Sequence, residues 1–294
     1  MKGFNIRTLF LFTMALLFGF ILRANIGNDN LAISSKIDSL ESILYNSLSY
    51  NFTPNQKIDI CTELALLYKD KSYDKQAEYA ARALILAEEL SNNELISKAL
   101  NILVEAYYKM DNYNKAIEYS TRLYNIYNTS NDEIGAAQAL YSIGRSYYGA
   151  SKYIEAKDYY ERAHDIFKKN QYFEGIALTL RGIASVQLHW GEYNEALSNN
   201  EEALKFLEEI GDEEGIAASF NSIGMVHQEF GNIERAHEYF QKSLEIYKKL
   251  GMTWDIVNLT LHIGDIYLHK GLYDKALDWY FDAESIGKHV NNKN

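Results

Sequence analysis

The sequence predicts an all-α protein, a solenoid of about six helical hairpins preceded by an N-terminal amphipathic helix. Three observations support this prediction. The 294 residues include a single proline, which favours uninterrupted helices. Apolar residues recur at helical spacing, and one sequence pattern returns every 40 residues. A helical pattern repeated at a fixed interval is typical of a solenoid, in which stacked units share one continuous core.

The 40-residue period is clearest at one aromatic position. Tyrosine fills this position in five repeats and isoleucine in one: Tyr73, Tyr113, Tyr153, Tyr193, Ile233 and Tyr273. With 24 tyrosines in 294 residues, chance would place roughly half a tyrosine in six positions. Two residues earlier stand Lys71, Asp111, Ser151, Gly191, Gly231 and Gly271, mostly residue types that favour turns. The period therefore predicts a turn followed by a helix in each unit.

The repeats divide the chain into units that cannot fold singly. With Gly135, Gly175 and Gly215 as unit starts, the six units are 55–94, 95–134, 135–174, 175–214, 215–254 and 255–294. We expect each to contain a helix of about 14 residues, a turn and a longer second helix. Each helix carries one apolar stripe that its own hairpin cannot bury, so neighbouring units must stack.

The first residues are typical of an export signal. Lys2 and Arg7 precede an apolar run over residues 9–22. A helix of that length rises about 21 Å, less than the roughly 30 Å hydrocarbon core of a bilayer. We expect residues 1–24 to be a cleaved signal peptide; the alternatives are an uncleaved anchor through residues 8–22 and a buried helix of the fold. The first two readings place the repeats outside the cytoplasm, either periplasmic or membrane-anchored and facing the periplasm.

Residues 25–54 are predicted to cap the first repeat. Ile33, Ile37 and Leu40 fall on one face of an amphipathic helix, which suits a helix that covers the next hairpin. The segment ends at a helix-start signal, because Thr53 is followed by proline and, three residues on, by Gln56. We therefore expect the first repeat helix to begin here.

Composition and motifs argue against several function classes. The formal net charge of −11 repels phosphate backbones, so we expect no nucleic-acid partner. Cys61, the only cysteine, can form no internal disulfide, and we expect it to be a small core filler, with a reactive thiol as the alternative. No phosphate-binding loop, nucleophile elbow or zinc-spaced histidine pair occurs, and His227 falls on an inward position. The sequence thus predicts a protein without catalysis, metal or cofactor.

Three units resemble the tetratricopeptide repeat family. The family pattern of an aliphatic residue and glycine, then tyrosine, alanine, an aromatic residue and alanine is met at Ile143, Gly144, Tyr147, Ala156, Tyr160 and Ala163, and again from Ile263. It is also met from Ile223, with His227 in place of the tyrosine and Ser243 in place of the last alanine. The resemblance covers residues 55–294. It implies a right-handed superhelix of hairpins that binds a protein or peptide along its concave face. The 40-residue unit is similar to the lengthened repeats of kinesin light chain and of bacterial signalling proteins.

Two units depart from this pattern at the glycine position. The first unit has Leu64 and the second has Val104 where the family has glycine. A side chain at this position occupies the space into which the neighbouring helix would fit. We therefore expect looser packing in these two units without a change of register.

The inner face of the first helix of each unit is the candidate binding surface. Nine residues one turn apart on this face form the candidate groove: Asn101, Glu105, Tyr108, Tyr141, Arg145, Tyr148, Arg181, Asn221 and Gln228. Aromatic rings offer rigid contact area, and amide side chains bond a peptide backbone. Arg145 and Arg181 suit a carboxylate. The alternative is that these residues are an ordinary solvated surface.

Two function classes follow from the sequence. The first is an exported, non-catalytic protein that binds a protein or peptide. The alternative is the extracytoplasmic sensory region of a bacterial signal-transduction protein, a sensor kinase, cyclase or transcription regulator, whose output domain is outside this chain. The alternative is motivated by the last helix, where Leu277, Tyr280 and Phe281 lack a following capping helix. Self-association through this uncapped C-terminal repeat is a further expectation.

Overall fold

The computed structural model describes residues 32–45, 52–69 and 71–291, with side chains of the last helix described up to residue 288. The predicted signal or anchor within residues 1–24 lies outside these ranges and stays a prediction. None of the described helices is both long enough and apolar enough to cross a membrane.

The described residues form thirteen helices and no strand, which confirms the all-α prediction. The helices are α1 (32–45), α2 (Pro54–Leu67), α3 (Tyr73–Glu89), α4 (Asn93–Lys109), α5 (Tyr113–Thr129), α6 (Glu133–Gly149), α7 (Tyr153–Lys169), α8 (Phe173–Trp190), α9 (Tyr193–Ile210), α10 (Glu213–Glu229), α11 (Ile233–Leu250), α12 (Thr253–His269) and α13 (Tyr273–Asn291). They fall into two compact units that divide after Ser91, with α1–α3 in the first and α4–α13 in the second.

The second unit is a stack of five helical hairpins. Its first helices, which we call A helices, are α4, α6, α8, α10 and α12, and the B helices that follow them are α5, α7, α9, α11 and α13. Each helix packs against its neighbours along the chain within this unit, and α8 also contacts α6 and α10. This arrangement confirms the predicted α-solenoid of hairpins.

Every turn of this stack contains one residue in the left-handed backbone conformation. These residues recur every 20 positions, at Asp111, Asn131, Ser151, Gln171, Gly191, Gly211, Gly231, Gly251 and Gly271, and Ser91 in the turn after α3 has the same conformation. The tyrosine column of the sequence is the first residue of each B helix. The predicted turns are therefore confirmed. The turn between one hairpin and the next has the same left-handed residue as the turn within a hairpin.

The A helices are longer than predicted. From α4 onward they contain 17 or 18 residues, about as many as the B helices, and only α2 has 14. The prediction was wrong because it began the helices at the glycines. The Asp132 carboxylate accepts a hydrogen bond from the Gly135 N–H at 2.8 Å, so α6 already begins at Glu133.

In the first unit, α1 is fastened to the hairpin of α2 and α3 through one carboxylate. Glu41 Oε1 accepts hydrogen bonds from the hydroxyls of Tyr68 at 2.6 Å and Tyr79 at 2.8 Å, and the two rings stack with centroids 5.7 Å apart. The bond from Tyr68 is the main reason that the pKa of Glu41 is lowered. The predicted helix start also forms, because Thr53 and Gln56 bond each other's backbone N–H groups.

Within the hairpins, a small residue on the A helix faces a ring on the B helix. A methyl group added to Gly224 would lie 2.6 Å from the ring of Phe240. Methyl groups added to Gly144 and Gly264 would lie 2.8 Å and 2.5 Å from the rings of Tyr160 and Tyr280. Where the A helix carries a residue larger than glycine, the B helix carries one smaller than an aromatic ring: Leu64 with Ala80, Val104 with Ser120 and Ala184 with Asn200. All six of these residues are buried.

We expect Gly224→Ala to destabilise the protein by about 1–3 kcal/mol, because the added methyl group would displace the Phe240 ring. Gly287→Ala is the matched control. A methyl group there meets nothing within 4 Å, and alanine favours the helix by roughly 1 kcal/mol. Urea denaturation followed by circular dichroism measures both changes. Equal midpoints for Gly224→Ala and the natural protein would contradict this packing.

Candidate functional site

The candidate groove lies on the A helices of the second unit. Because α8 contacts both α6 and α10, the inner faces of these helices stand side by side. The structure does not bring the nine predicted residues together in one cluster. Five of them lie in or beside an ion-paired group on α4 and α6, and Arg181 and Asn221 line a cavity centred on α8 and α10, whereas Asn101 and Gln228 belong to neither.

The first group ties two neighbouring repeats together. Arg145 Nη2 donates a hydrogen bond to Glu105 Oε2, and the Arg145 guanidinium lies 4.0 Å from the centroid of the Tyr108 ring. The arginine and glutamate side chains are 28% and 31% exposed. Burial alone would lower the pKa of Arg145. The Glu105 charge and hydrogen bond act in the opposite direction, and the pKa is raised overall. Arg145 thus has a carboxylate partner inside the protein.

Two predicted tyrosines are packed beside this group. The Tyr141 ring centroid lies 5.5 Å from that of Tyr160, and the Tyr148 ring meets Tyr153 edge-on at 5.4 Å. Both predicted residues are half-buried. Burial raises the pKa of Tyr148, which keeps its hydroxyl neutral at physiological pH. This part of the groove offers a largely aromatic and neutral surface.

The second group lines a cavity of about 660 Å³, which we call the Arg181 cavity. Its lining residues come from the five helices α8 to α12 and the turn before α10: Glu174, Leu178, Arg181, Ile210, Asp212, Glu214, Gly215, Ala218, Asn221, Ser222, Tyr247 and Asp255. The volume is within the range of about 300–1,000 Å³ that is usual for ligand sites. Two of the nine predicted residues, Arg181 and Asn221, are among its walls.

Arg181 and Asn221 each have a buried polar atom without a partner. The Nε of Arg181 and the Oδ1 of Asn221 are shielded from solvent and make no hydrogen bond to any described residue. A buried polar atom left unpaired costs about 1–3 kcal/mol. Arg181 Nε is a hydrogen-bond donor and Asn221 Oδ1 is an acceptor. A peptide chain offers the complementary groups, because its carbonyls accept and its N–H groups donate.

Negative charge dominates the walls of the cavity, with four carboxylates and one guanidinium. Glu174 accepts a hydrogen bond from the Tyr172 hydroxyl at 2.6 Å, and Asp212 accepts one from the Gly215 N–H at 3.0 Å. Glu214 and Asp255 make no hydrogen bond or ion pair to the described residues. Two of the four carboxylates are therefore free to meet a ligand.

Tyr247 is a cavity residue that the sequence did not indicate. It is 4% exposed, and its hydroxyl has no hydrogen-bond partner in the described part of the chain. Burial raises its pKa to about 12; the charges of Asp255 and Glu214 also raise it, while Arg181 lowers it. The sequence pattern pointed to the A helices and gave no indication of this B-helix residue. Tyr247 aligns with Phe167 and Leu207, which carry no hydroxyl, and with Tyr127, whose hydroxyl accepts a hydrogen bond from Asn101.

A second cavity, of about 520 Å³, lies on α4, α5 and the turn before α6. Asn101 is in its wall and donates a hydrogen bond from Nδ2 to the Tyr127 hydroxyl at 3.3 Å. Two further wall residues, Glu94 and Asp132, stand 80 residues before Glu174 and Asp212. The same type of cavity thus recurs two repeats apart. Gln228 is half-buried and lines neither cavity.

Other residues singled out in the sequence are packed in the interior. Cys61 is 1% exposed, and burial raises the pKa of its thiol, which confirms the core-filler prediction. His227 is 4% exposed and stacks on Tyr239 with ring centroids 5.5 Å apart; burial is the main cause of its lowered pKa. Among the described residues, no three histidine, cysteine or carboxylate side chains are placed to hold a metal ion.

The chain belongs to the tetratricopeptide repeat family. The family's sequence model matches residues 94–169 and 175–249, just over half of the chain. This match confirms the resemblance drawn from the glycine, alanine and aromatic positions. No curated protein matches the chain significantly in sequence.

Solved structures share the fold. The apo form of RapI superposes with a TM-score of 0.71 at 18% identity, covering 89% of this chain and 93% of RapI. A Rap protein complexed with competence and sporulation factor gives 0.62 at 18% identity, covering 88% of this chain and 78% of that one. A Podosopora anserina putative kinesin light chain with nearly identical TPR-like repeats superposes with a TM-score of 0.50 at 15% identity, covering 66% of this chain and 96% of that one. At these identities the likeness concerns the fold alone.

Proposed function

We propose that this protein binds an extended peptide, or such a segment of a partner protein, along the inner face of its A helices, with the Arg181 cavity as the principal site. It acts by binding and not by catalysis. The observation that carries this proposal is the unpaired Arg181 Nε and Asn221 Oδ1 in the wall of the cavity.

Peptide is the ligand class that these two atoms favour. A backbone carbonyl accepts from Arg181 Nε, and a backbone N–H donates to Asn221 Oδ1, so one chain satisfies both. The inner faces of α6, α8 and α10 adjoin, which offers an elongated surface on either side of the cavity. A Rap protein of similar fold has been solved in complex with competence and sporulation factor. That complex supports the use of this fold for binding.

The double variant Arg181→Ala, Asn221→Ala is expected to lose its partner. We would place a photo-crosslinking amino acid at Leu178, a half-buried wall residue, and analyse captured proteins and peptides by mass spectrometry. The dominant adduct of the natural cavity should fall at least about tenfold in the double variant, because both backbone contacts are lost.

Arg162→Ala is the matched control for this experiment. Arg162 is exposed on α7, pairs with Asp158 one turn away, and lines neither cavity. Its removal should leave the adduct unchanged. Capture that persists in the Arg181 and Asn221 double variant would show that the partner docks elsewhere.

We also propose that the protein is exported through residues 1–24 and faces the periplasm. The support is the pattern of Lys2, Arg7 and the apolar run of residues 9–22. Mass spectrometry of protein from the periplasmic fraction should find a chain lacking about 24 N-terminal residues, whereas a full-length chain in the membrane fraction would indicate anchoring through residues 8–22. Leu16→Arg, Leu17→Arg should block export. Full-length natural protein in the cytoplasm would contradict export.

The sensory region of a signalling protein is the second candidate function. It is favoured by the outer face of α13, where Leu277 and Phe281 are 50% and 62% exposed. An output domain encoded beyond residue 294 would support this candidate, and an in-frame stop codon there would argue against it.

If the face instead serves self-association, sedimentation should show a concentration-dependent dimer that Leu277→Ser, Phe281→Ser abolishes; a monomer at every concentration would exclude that role.

A further inference from the structure

One wall residue of the Arg181 cavity, Tyr247, carries a hydroxyl at a position that apolar side chains fill in two other repeats. The equivalent residues two repeats and one repeat earlier are Phe167 and Leu207. The Tyr247 side chain is only 4% exposed, yet it lines the cavity, and its hydroxyl bonds to none of the described residues. This hydroxyl, unlike Arg181 Nε, is not shielded from solvent, so it is available to a ligand group that bonds a tyrosine hydroxyl.

The charges around Tyr247 define the chemistry of that ligand group. Glu214 and Asp255 are unpaired and line the cavity together with Tyr247. Burial is the main cause of the raised pKa of Tyr247, and the charges of Asp255 and Glu214 raise it as well, so both carboxylates act on its hydroxyl. The neighbouring cation Lys249 is engaged by Glu213 in an ion pair. Arg181 is the one cation in the cavity wall, and it stands against four carboxylates. The cavity around Tyr247 therefore keeps an excess of negative charge.

Helix stabilisation accounts for only part of this arrangement. Glu214 and Asp255 lie in the first turns of α10 and α12, where a carboxylate favours the helix dipole. That role is met equally by Glu155 in the first turn of α7, which is exposed and lines neither cavity. It does not explain why two unpaired carboxylates line the same cavity as the unpaired Tyr247 hydroxyl.

We infer that the peptide bound at the Arg181 cavity carries a lysine or arginine side chain, and that Asp255, Glu214 and the Tyr247 hydroxyl hold its cation. This inference rests on the proposed function. The carboxylates accept charge-assisted hydrogen bonds from the cation, and the hydroxyl oxygen accepts another. Arg181 and Asn221 bond the backbone of the same peptide, so the site reads one basic side chain within an extended segment.

Selection of peptides by the full-length protein tests the inference. Random 12-residue peptides displayed on phage are selected on the protein, and peptides that fail to bind the Arg181→Ala, Asn221→Ala variant are kept as cavity ligands. We expect these ligands to share one lysine or arginine position. Replacement of that lysine by norleucine, which keeps the apolar stem and removes the charge, should weaken binding about tenfold in fluorescence polarisation.

Variants of the protein then locate the cation. In Asp255→Asn, Glu214→Gln the lysine and norleucine peptides should bind within about twofold of each other, because the counter-charge is gone. Tyr247→Phe should weaken only the lysine form, whereas Glu155→Gln should change neither form. Raising the salt concentration should weaken the lysine form more than the norleucine form, since salt screens the ion pairs.

Each contrary result has a distinct meaning. Cavity ligands that tolerate norleucine or prefer glutamate would overturn the cation inference and leave the proposed peptide site intact. A selection that enriches no peptide dependent on Arg181 and Asn221 would overturn the proposed function itself. Free lysine that binds as tightly as the selected peptides would overturn the peptide part, because the backbone contacts would then add nothing.

Discussion

The close contact between one residue on each A helix and one on the following B helix governs the rest of the structure. In three hairpins the contact is a glycine against an aromatic ring, as with Gly224 and Phe240. Other hairpins combine a larger A-helix residue with a smaller B-helix residue instead, as with Leu64 and Ala80 or Val104 and Ser120, all of which are buried. Because close-packed interiors tolerate little change in volume, this exchange of size keeps the helices of each hairpin at similar separations.

A regular hairpin has a direct consequence for binding. Equivalent residues on successive A helices return to equivalent places every 40 residues, so the character of the inner face varies only with the identity of those residues. On α4 and α6 the Arg145 Nη2 atom is paired with Glu105, although Arg145 Nε is unpaired as well. At α8 and α10 the corresponding wall holds Arg181 and Asn221, each with an unsatisfied atom, and the cavity opens there.

The sequence predicted those features that depend on residues close together in the chain or on the repeat itself. The 40-residue period, the turns and the start of each B helix at the tyrosine column belong to this class, as does the burial of Cys61. The partner of Arg145 was not predicted, because Glu105 is 40 residues away and the contact depends on how two repeats stack. Tyr247 and Asp255 were missed for the same reason, since they reach the cavity from a B helix and from the next repeat.

The left-handed residues that recur every 20 positions bear on how such a protein changes over evolutionary time. Any 40-residue block begins and ends with the same backbone conformation, so unequal recombination could add or remove a whole hairpin without remodelling a loop. The earlier turns use serine, aspartate, asparagine and glutamine where the later turns use glycine. Glycine adopts the left-handed conformation without steric cost, so the later turns keep this shared geometry with less backbone strain than the earlier ones.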